Sequence, residues 1–264
     1  MSNAAASRSS ALDSVLDART SSVALALELF ELTDAIGAQP ALRRALTDPG
    51  TPDDARADLV GALFGPRTGA DAVAVLAEAA RVRWSTPAEF LAAIERQAVR
   101  ALLTTARDAG ELDEVEDQLF RVERLVAGDP DLRSAISDRR TSVTARADLL
   151  GGLLDGRALG VVTQLARRGV AARRRTFELT VEDYLRIAAD LKAQAIATVE
   201  VARPLTDEQV QRLTDALSRQ VGRAVKVQLI VDPAVLGGVR VTLGDEVIEG
   251  TVAGRLHDAH RKLG

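Results

Sequence analysis

The stretch "ARADLVGALFG" near residue 55 is written again near residue 145 as "ARADLLGGLLDG". No other feature of the chain narrows its possible folds as much. Pairing residue n with n+90 over residues 39–64 needs no gap and gives 13 identities in 26 positions. They include Pro40/Pro130, Asp48/Asp138, Thr51/Thr141, Arg56/Arg146 and Gly61/Gly151. Alanine and leucine recur in any helical chain, but proline, aspartate and glycine at fixed punctuating positions mark a duplicated unit. The register extends upstream to Leu29/Leu119 and Phe30/Phe120. Downstream a slip by one is expected, with Val75-Leu76-Ala77 facing Gln164-Leu165-Ala166.

Apolar spacing makes each copy a set of short helices. In the second copy Leu112, Val115, Leu119, Val122 and Val126 recur at intervals of three and four, one stripe that Gly128-Asp129-Pro130 stops. A short helix follows Pro130. Thr141 or Ser142 caps the next, whose apolar line is Ala145, Leu149 and Leu153. Further helices are expected over residues 157–170 and 176–191, the latter with Leu179, Tyr184, Leu185 and Ile187 as buried candidates. The first copy follows the same plan from Ser22, and its closing helix, residues 87–109, runs on into the second. The expectation is two tandem six-helix-type bundles, residues 1–95 and 96–191.

Near residue 193 the period changes. "AIATVEVA" alternates and ends at Pro204, and Thr206 with Gln209 three residues on is a capping box for a helix that closes at Gly222. Val225, Val227, Leu229 and Val231 then alternate against Lys226, Gln228 and Ile230, as in a strand with one buried face. After Asp232-Pro233 a further alternation runs through Val239, Val241 and Leu243. Gly244-Asp245 turns it into a fourth strand, and Thr251 opens a last helix. The fold class is therefore mainly α, with a small α/β domain of strand-helix-strand-strand-strand-helix over residues 192–264.

Composition excludes several classes. Thirty-four basic against 38 acidic residues give a formal charge of −4, so no overall field favours nucleic acid. The longest uncharged run is the nine residues 158–166, about half of the 18 or more that a membrane-spanning helix needs. No cysteine is present, so disulfides and thiolate chemistry are absent. The opening "MSNAAASRSS" lacks the apolar region of a secretory signal and is expected to be unstructured.

Catalytic constellations are missing too. His257 and His260 share a helix face without a third ligand at suitable spacing. The glycines at 237, 238 and 244 fit neither phosphate-loop pattern. Glu246 and Glu249 point to opposite faces of a short strand. Trp84 and Tyr184 read as core or rim packing. The arginine-rich run "RRGVAARRR" at 167–175 has no interleaved aromatic platform, so a solvated or protein-facing loop suits it better than a nucleic-acid site. A basic-loop nucleic-acid-binding or generic scaffold protein is the alternative reading.

The C-terminal residues carry a resemblance. Pro204-Leu205-Thr206, Val231-Asp232-Pro233, Leu236-Gly237-Gly238-Val239, Gly244-Asp245 and Val247-Ile248-Glu249-Gly250-Thr251 keep the order and spacing of the end of the ATP synthase delta (oligomycin-sensitivity-conferring protein) family. Glu249 and Thr251 are conservative departures from that pattern. The second copy, with "RALLTTARDAGELDEVEDQL", resembles the family's helical domain, although Arg100 stands where a tyrosine is often found. Most members have one such domain, so this is a long form.

The resemblance implies a stator subunit without active site or cofactor. It implies partners in the alpha-subunit N-terminal helix and the b subunits of the peripheral stalk, with the beta subunit as a further neighbour. Peripheral attachment at the cytoplasmic face of the cell membrane follows, with neither nucleic acid nor membrane insertion. The family's groove lies between its first and fifth helices, here near residues 96–109 and 157–170. Its candidate contacts are Ala101, Leu102 and Thr105 on one side and Val161, Leu165 and Arg168 on the other. Aspartate at Leu102 and Leu165 is expected to abolish docking with the helices intact. Pro204, Asp232, Pro233, Gly237, Gly238, Gly244, Asp245 and Gly250 hold the family pattern structurally.

Overall fold

The ninety-residue offset governs secondary structure as well as sequence. A computed structural model describes residues 3–171, 176–193, 195–221, 225–232, 239–243 and 246–249. Its first eleven helices are α1 (Asn3–Asp17), α2 (Val23–Ala38), α3 (Pro40–Thr47), α4 (Asp53–Phe64), α5 (Ala70–Arg81), α6 (Pro87–Asp108), α7 (Leu112–Gly128), α8 (Pro130–Ser137), α9 (Val143–Leu154), α10 (Gly160–Ala171) and α11 (Phe177–Ala193). Both ends of α3, α4 and α5 reappear 90 residues on as those of α8, α9 and α10.

Burial follows the same offset. Ala72/Val162, Val75/Leu165, Leu76/Ala166 and Ala80/Val170 are all interior, so the slip by one expected downstream does not occur. Packing conserves which positions face inward, and chance identities one residue out of step do not alter that. The offset also holds for Ile94/Tyr184 and Ala98/Ala188 in α6 and α11.

Alpha 6 belongs to both copies. Its N-terminal half corresponds to the start of α11, while Leu102 and Ala106 in its C-terminal half correspond to Leu12 and Leu16 of α1, all four buried. Residues 3–10 are thus not an unstructured start, because α1 begins at Asn3 and supplies the first copy's opening helix. Two carboxylates one turn apart fasten it. Asp17 accepts from Arg100 of α6 at 2.7 Å, and Asp13 accepts from Arg96 at 3.2 Å and from Gln97 at 2.9 Å.

Local chemistry sets the helix starts. Ser22, Thr86 and Ser142 accept from the amides of Leu25, Glu89 and Ala145 at 3.1–3.2 Å. Each such cap stabilises its helix by about 1 kcal/mol. Asp129 caps α8 ahead of Pro130.

The rotation of α9 differs from the sequence expectation. Leu149 and Leu153 are exposed, and Leu150, Gly151 and Leu154 face the core. Arg146, half-buried, donates to the Ile136 carbonyl at 2.8 Å. In α4 its counterpart Arg56 is more deeply set, donating to the carbonyls of Ala80 at 2.7 Å and Arg81 at 3.0 Å. Leu179, a buried candidate, is exposed, whereas Tyr184 and Ile187 are interior.

The chain divides into two compact units, Met1–Leu191 and Lys192–Gly264. In the first, one apolar core runs from Leu12 through Leu102 to Leu191 without a break at the repeat junction. In the second, β1 (Ala195–Val201), α12 (Asp207–Val221), β2 (Val225–Val231), β3 (Val239–Leu243) and β4 (Glu246–Glu249) form a sheet of order β2-β1-β3-β4. Strand β1 is parallel to β2 and antiparallel to β3, and β3 and β4 are antiparallel. The capping box is present: the Thr206 amide donates to Gln209 Oε1 at 2.9 Å, and the Gln209 amide donates to Thr206 Oγ1 at 3.3 Å.

Ala197, Val199, Val201, Leu217, Val225 and Val241 form this unit's core. The continuous buried face expected of β2 is not found, since Leu229 and Val231 are exposed. An edge strand has a neighbour on one side only, and its far end lacks cover among the described residues. The fold is mainly α with a small α/β unit, as the period change at residue 193 indicates. No described helix is long and apolar enough to cross a membrane.

Candidate partner-binding site

The family groove is expected where α6 and α10 approach each other, and an apolar cleft of about 270 Å³ lies there. Alpha 6 contributes Leu102 and α10 contributes Gly160, Val161 and Gln164, with Leu159 just before it. Glu111, at the N-terminal edge of α7, stands on the rim. Val23, the first residue of α2, completes the wall from the other copy. The volume falls below the 300–1,000 Å³ typical of small-molecule pockets. It suits a few anchoring side chains of a docked helix.

A side-chain acceptor fixes the cleft's α10 edge. Gln118 Oε1 of α7 accepts from the Leu159 amide at 2.7 Å, holding the start of α10 against α7. The counterpart in the first copy is Glu28, whose Oε1 accepts from the Gly69 amide at 3.2 Å.

Of the six residues proposed from sequence, Leu102 and Val161 line the cleft, and Val161 is half-buried. Thr105 is also half-buried and donates to the Leu102 carbonyl at 2.7 Å. Ala101 and Leu165 are fully interior. Arg168 turns away from the cleft. It donates to Glu95 Oε1 of α6 and Asp34 Oδ2 of α2, both at 2.8 Å, with its guanidinium 4.7 Å from the centre of the Phe30 ring.

Burial acts to lower the pKa of Arg168, but Glu95 and Asp34 outweigh it and raise that pKa above the ordinary arginine value. Burial, with Glu95 adding to it, pushes the Tyr184 phenol up. The neighbouring Arg167 pairs with Asp148 at 2.6 Å. The first two arginines of the basic run thus have carboxylate partners inside the chain, and residues 172–175 lie outside the described residues.

Sequence reasoning missed Val23, Glu111, Leu159, Gly160 and Gln164. For Val23 the repeat itself was the obstacle, because it assigns this residue to the other copy. Gln118 and Glu28 could have been found from the offset, since both are long side chains with a carbonyl acceptor at equivalent positions.

In the second unit Pro204 is exposed ahead of the capping box, and the Asp232 amide donates to the Val201 carbonyl at 2.9 Å, prolonging the β1–β2 pairing. Pro233, Gly237, Gly238, Gly244, Asp245 and Gly250 lie outside the described residues, as do Gly222, Thr251, His257 and His260. Among the described residues no group of three or more His, Cys, Asp or Glu could hold a metal ion.

The family model described as "ATP synthase delta (OSCP) subunit" matches residues 94–263, so the match begins within α6, where the second copy opens. Similarity to curated relatives runs through both copies. ATP synthase subunit delta of Streptomyces avermitilis is 42% identical over 254 residues, covering 94% of this chain and 93% of its own. ATP synthase subunit delta of Cutibacterium acnes is 40% identical over 253 residues, with 96% of each chain covered. A chain in the cryo-EM structure of the Toxoplasma gondii mitochondrial ATP synthase hexamer is 18% identical, with a TM-score of 0.26, and covers 62% of this chain and 94% of its own. That likeness is too slight to bear on the fold. The match over residues 94–263 and the relatives at 40–42% identity lead to one conclusion: the chain belongs to the ATP synthase delta (OSCP) subunit family.

Proposed function

We propose that this chain is a non-catalytic stator subunit of the rotary, proton-translocating ATP synthase. It joins the catalytic alpha/beta head to the b-subunit peripheral stalk, so that proton-driven rotation is coupled to ATP synthesis. The observation that carries this reading is the near full-length relatedness to proteins named ATP synthase subunit delta, which includes the extra helical copy. In this reading the cleft between α6 and α10 receives the N-terminal helix of an alpha subunit, the C-terminal unit meets the b subunits, and the complex holds the chain at the cytoplasmic face of the cell membrane. The duplicated copy, residues 1–95, is a rigid extension of the helical domain.

A bracket under load needs affinity and stiffness. Persistence at nanomolar concentration requires about −12 kcal/mol of binding free energy, and a helix seated on an apolar groove with polar contacts at its rim is a plausible source. The apolar cleft, with Val23 exposed and Leu159 and Val161 half-buried, and the ion-paired, continuously packed helical unit support that role.

The test is reconstitution. Membranes stripped of this subunit should regain ATP synthesis driven by a proton gradient when the purified chain is added, and alpha, beta and b subunits should co-purify with it. Restored binding without restored synthesis would remove the coupling role. Failure to retain any of the three subunits would overturn the reading.

A further inference from the structure

The two copies have diverged at the one place where a partner helix would dock. Val161 of the second copy corresponds to Asp71 of the first, Gln164 to Ala74, and Leu159 to Gly69. In the first copy Arg19 reaches Asp71 with Nε 3.5 Å from Oδ1, across the position where the second copy keeps an apolar wall. The Glu28 carboxylate lies against Gly69 beside it, accepting from its amide. A helix seated there would have to break this ion pair and bury its charges, which is costly without replacement partners.

In the second copy the corresponding surface is apolar, and the first copy adds to it. Val23 lines the cleft while remaining 42% exposed, and Leu27, one turn further along the same face of α2, is 36% exposed. The residue equivalent to Val23 in the second copy is Asp113, also exposed but charged. Glu111 on the rim is exposed and acidic, and Asp113 and Glu114 follow it in the first turn of α7.

We infer that, of the two equivalent surfaces, the one in the second copy is the helix-docking cleft, and that the first copy supplies part of its wall through Val23, extended by Leu27. The inference rests on the stator reading above. The occupant is an amphipathic helix that places aliphatic anchors between Val23, Leu102 and Val161 and a basic residue opposite Glu111. The charge on the rim favours that orientation, and the small cleft volume favours side-chain anchors over a free ligand.

The full-length chain would be titrated calorimetrically with a synthetic peptide of the alpha-subunit N-terminal segment from the same synthase. One peptide should bind per chain. Val23→Asp should weaken binding at least tenfold with an unchanged melting temperature, because an acidic residue in a helix's first turn is favourable and this side chain is exposed. Val23→Ser, a milder change, should weaken it in the same direction.

Binding to the unaltered chain that neither variant weakens would overturn the inference and leave the stator reading standing. Two peptides per chain would do the same. No binding to the unaltered chain would overturn both.

Discussion

Arg168 and Asp34, 134 residues apart in sequence, meet at 2.8 Å between α10 and α2. With Glu95 on the other side of the guanidinium, this contact fastens the second copy to the first from a largely buried position. Arg168→Met should destabilise the helical unit by about 2 kcal/mol, less than the roughly 3–5 kcal/mol for losing one partner of a fully buried pair, because both acids are partly exposed. Arg168→Lys should recover less than half, since an ammonium lacks the planar fork that spans two carboxylates. Urea unfolding of the three proteins measures both effects.

Arg56 and Arg146 occupy the same register but different depths. Arg56 is 1% exposed and satisfies carbonyls at the end of α5 and in the turn before α4, whereas Arg146 is half-buried. Arg56→Ala should therefore cost at least about 3 kcal/mol, combining lost charge-assisted hydrogen bonds with carbonyls left unpaired. Arg146→Ala should cost about 1 kcal/mol on the same basis. Thermal and urea unfolding of the single variants would show the order, and equal losses would contradict it.

Acid should loosen the two equivalent turns. The Gly50 amide and the Thr51 hydroxyl hold the Asp48 carboxyl below the usual aspartate value of 3.8, and the side chain and amide of Arg140 do the same for Asp138. A depressed folded-state pKa gives stability that is present above the unfolded value and is lost as pH falls through the folded one. Stability should decline below about pH 4, and Asp48→Asn with Asp138→Asn should flatten that part of the profile. A double variant that loses stability between about pH 5 and pH 2 as steeply as the parent would show that these turns carry none of it.

Leu102→Asp and Leu165→Asp would not separate binding from folding. Both side chains are fully buried, and an aspartate there should cost about 3 kcal/mol or more through burial of an unpaired charge. Helical content should fall on mild heating. Val161→Asp, at a half-buried position on the cleft, should leave the melt within about 1 kcal/mol of the parent while reducing affinity for the alpha-subunit peptide. Circular dichroism and calorimetry on the same samples distinguish the two behaviours.

Much of the architecture was legible from residue spacing. The offset of 90, the proline and aspartate stops, the capping residues Ser142 and Thr206 and the switch to alternation near residue 193 all correspond to elements in place. What escaped depends on tertiary context. Alpha 1 is small and polar at its start, and its docking rests on Leu12 and Leu16 in the core and on the pairing of Asp13 and Asp17 with Arg96 and Arg100. Leu149 and Leu153 look like core because α9 is apolar on two adjacent lines, and spacing alone does not show that Leu150, Gly151 and Leu154 are the ones turned inward. In β2 alternation predicts a buried face, but in this edge strand Leu229 and Val231 are exposed, with no cover among the described residues.

The candidate site was legible in part. Leu102 and Val161 followed from family resemblance and spacing, and both line the cleft. Ala101, Leu165 and Arg168 lie on the same helices but point into the bundle, a distinction of about one hundred degrees of rotation that apolar composition does not encode. Val23 required the three-dimensional approach of α2 to a helix of the other copy.

The helix shared by the two copies has a mechanical consequence. Alpha 6 is 22 residues long, about 33 Å at helical rise, and contains neither glycine nor proline after Pro87. Enlarging a protein by adding a domain on a tether gives it a pendulum. Enlarging it through a common rod gives it a longer lever with no elbow at the seam, so strain entering at one end arrives at the other.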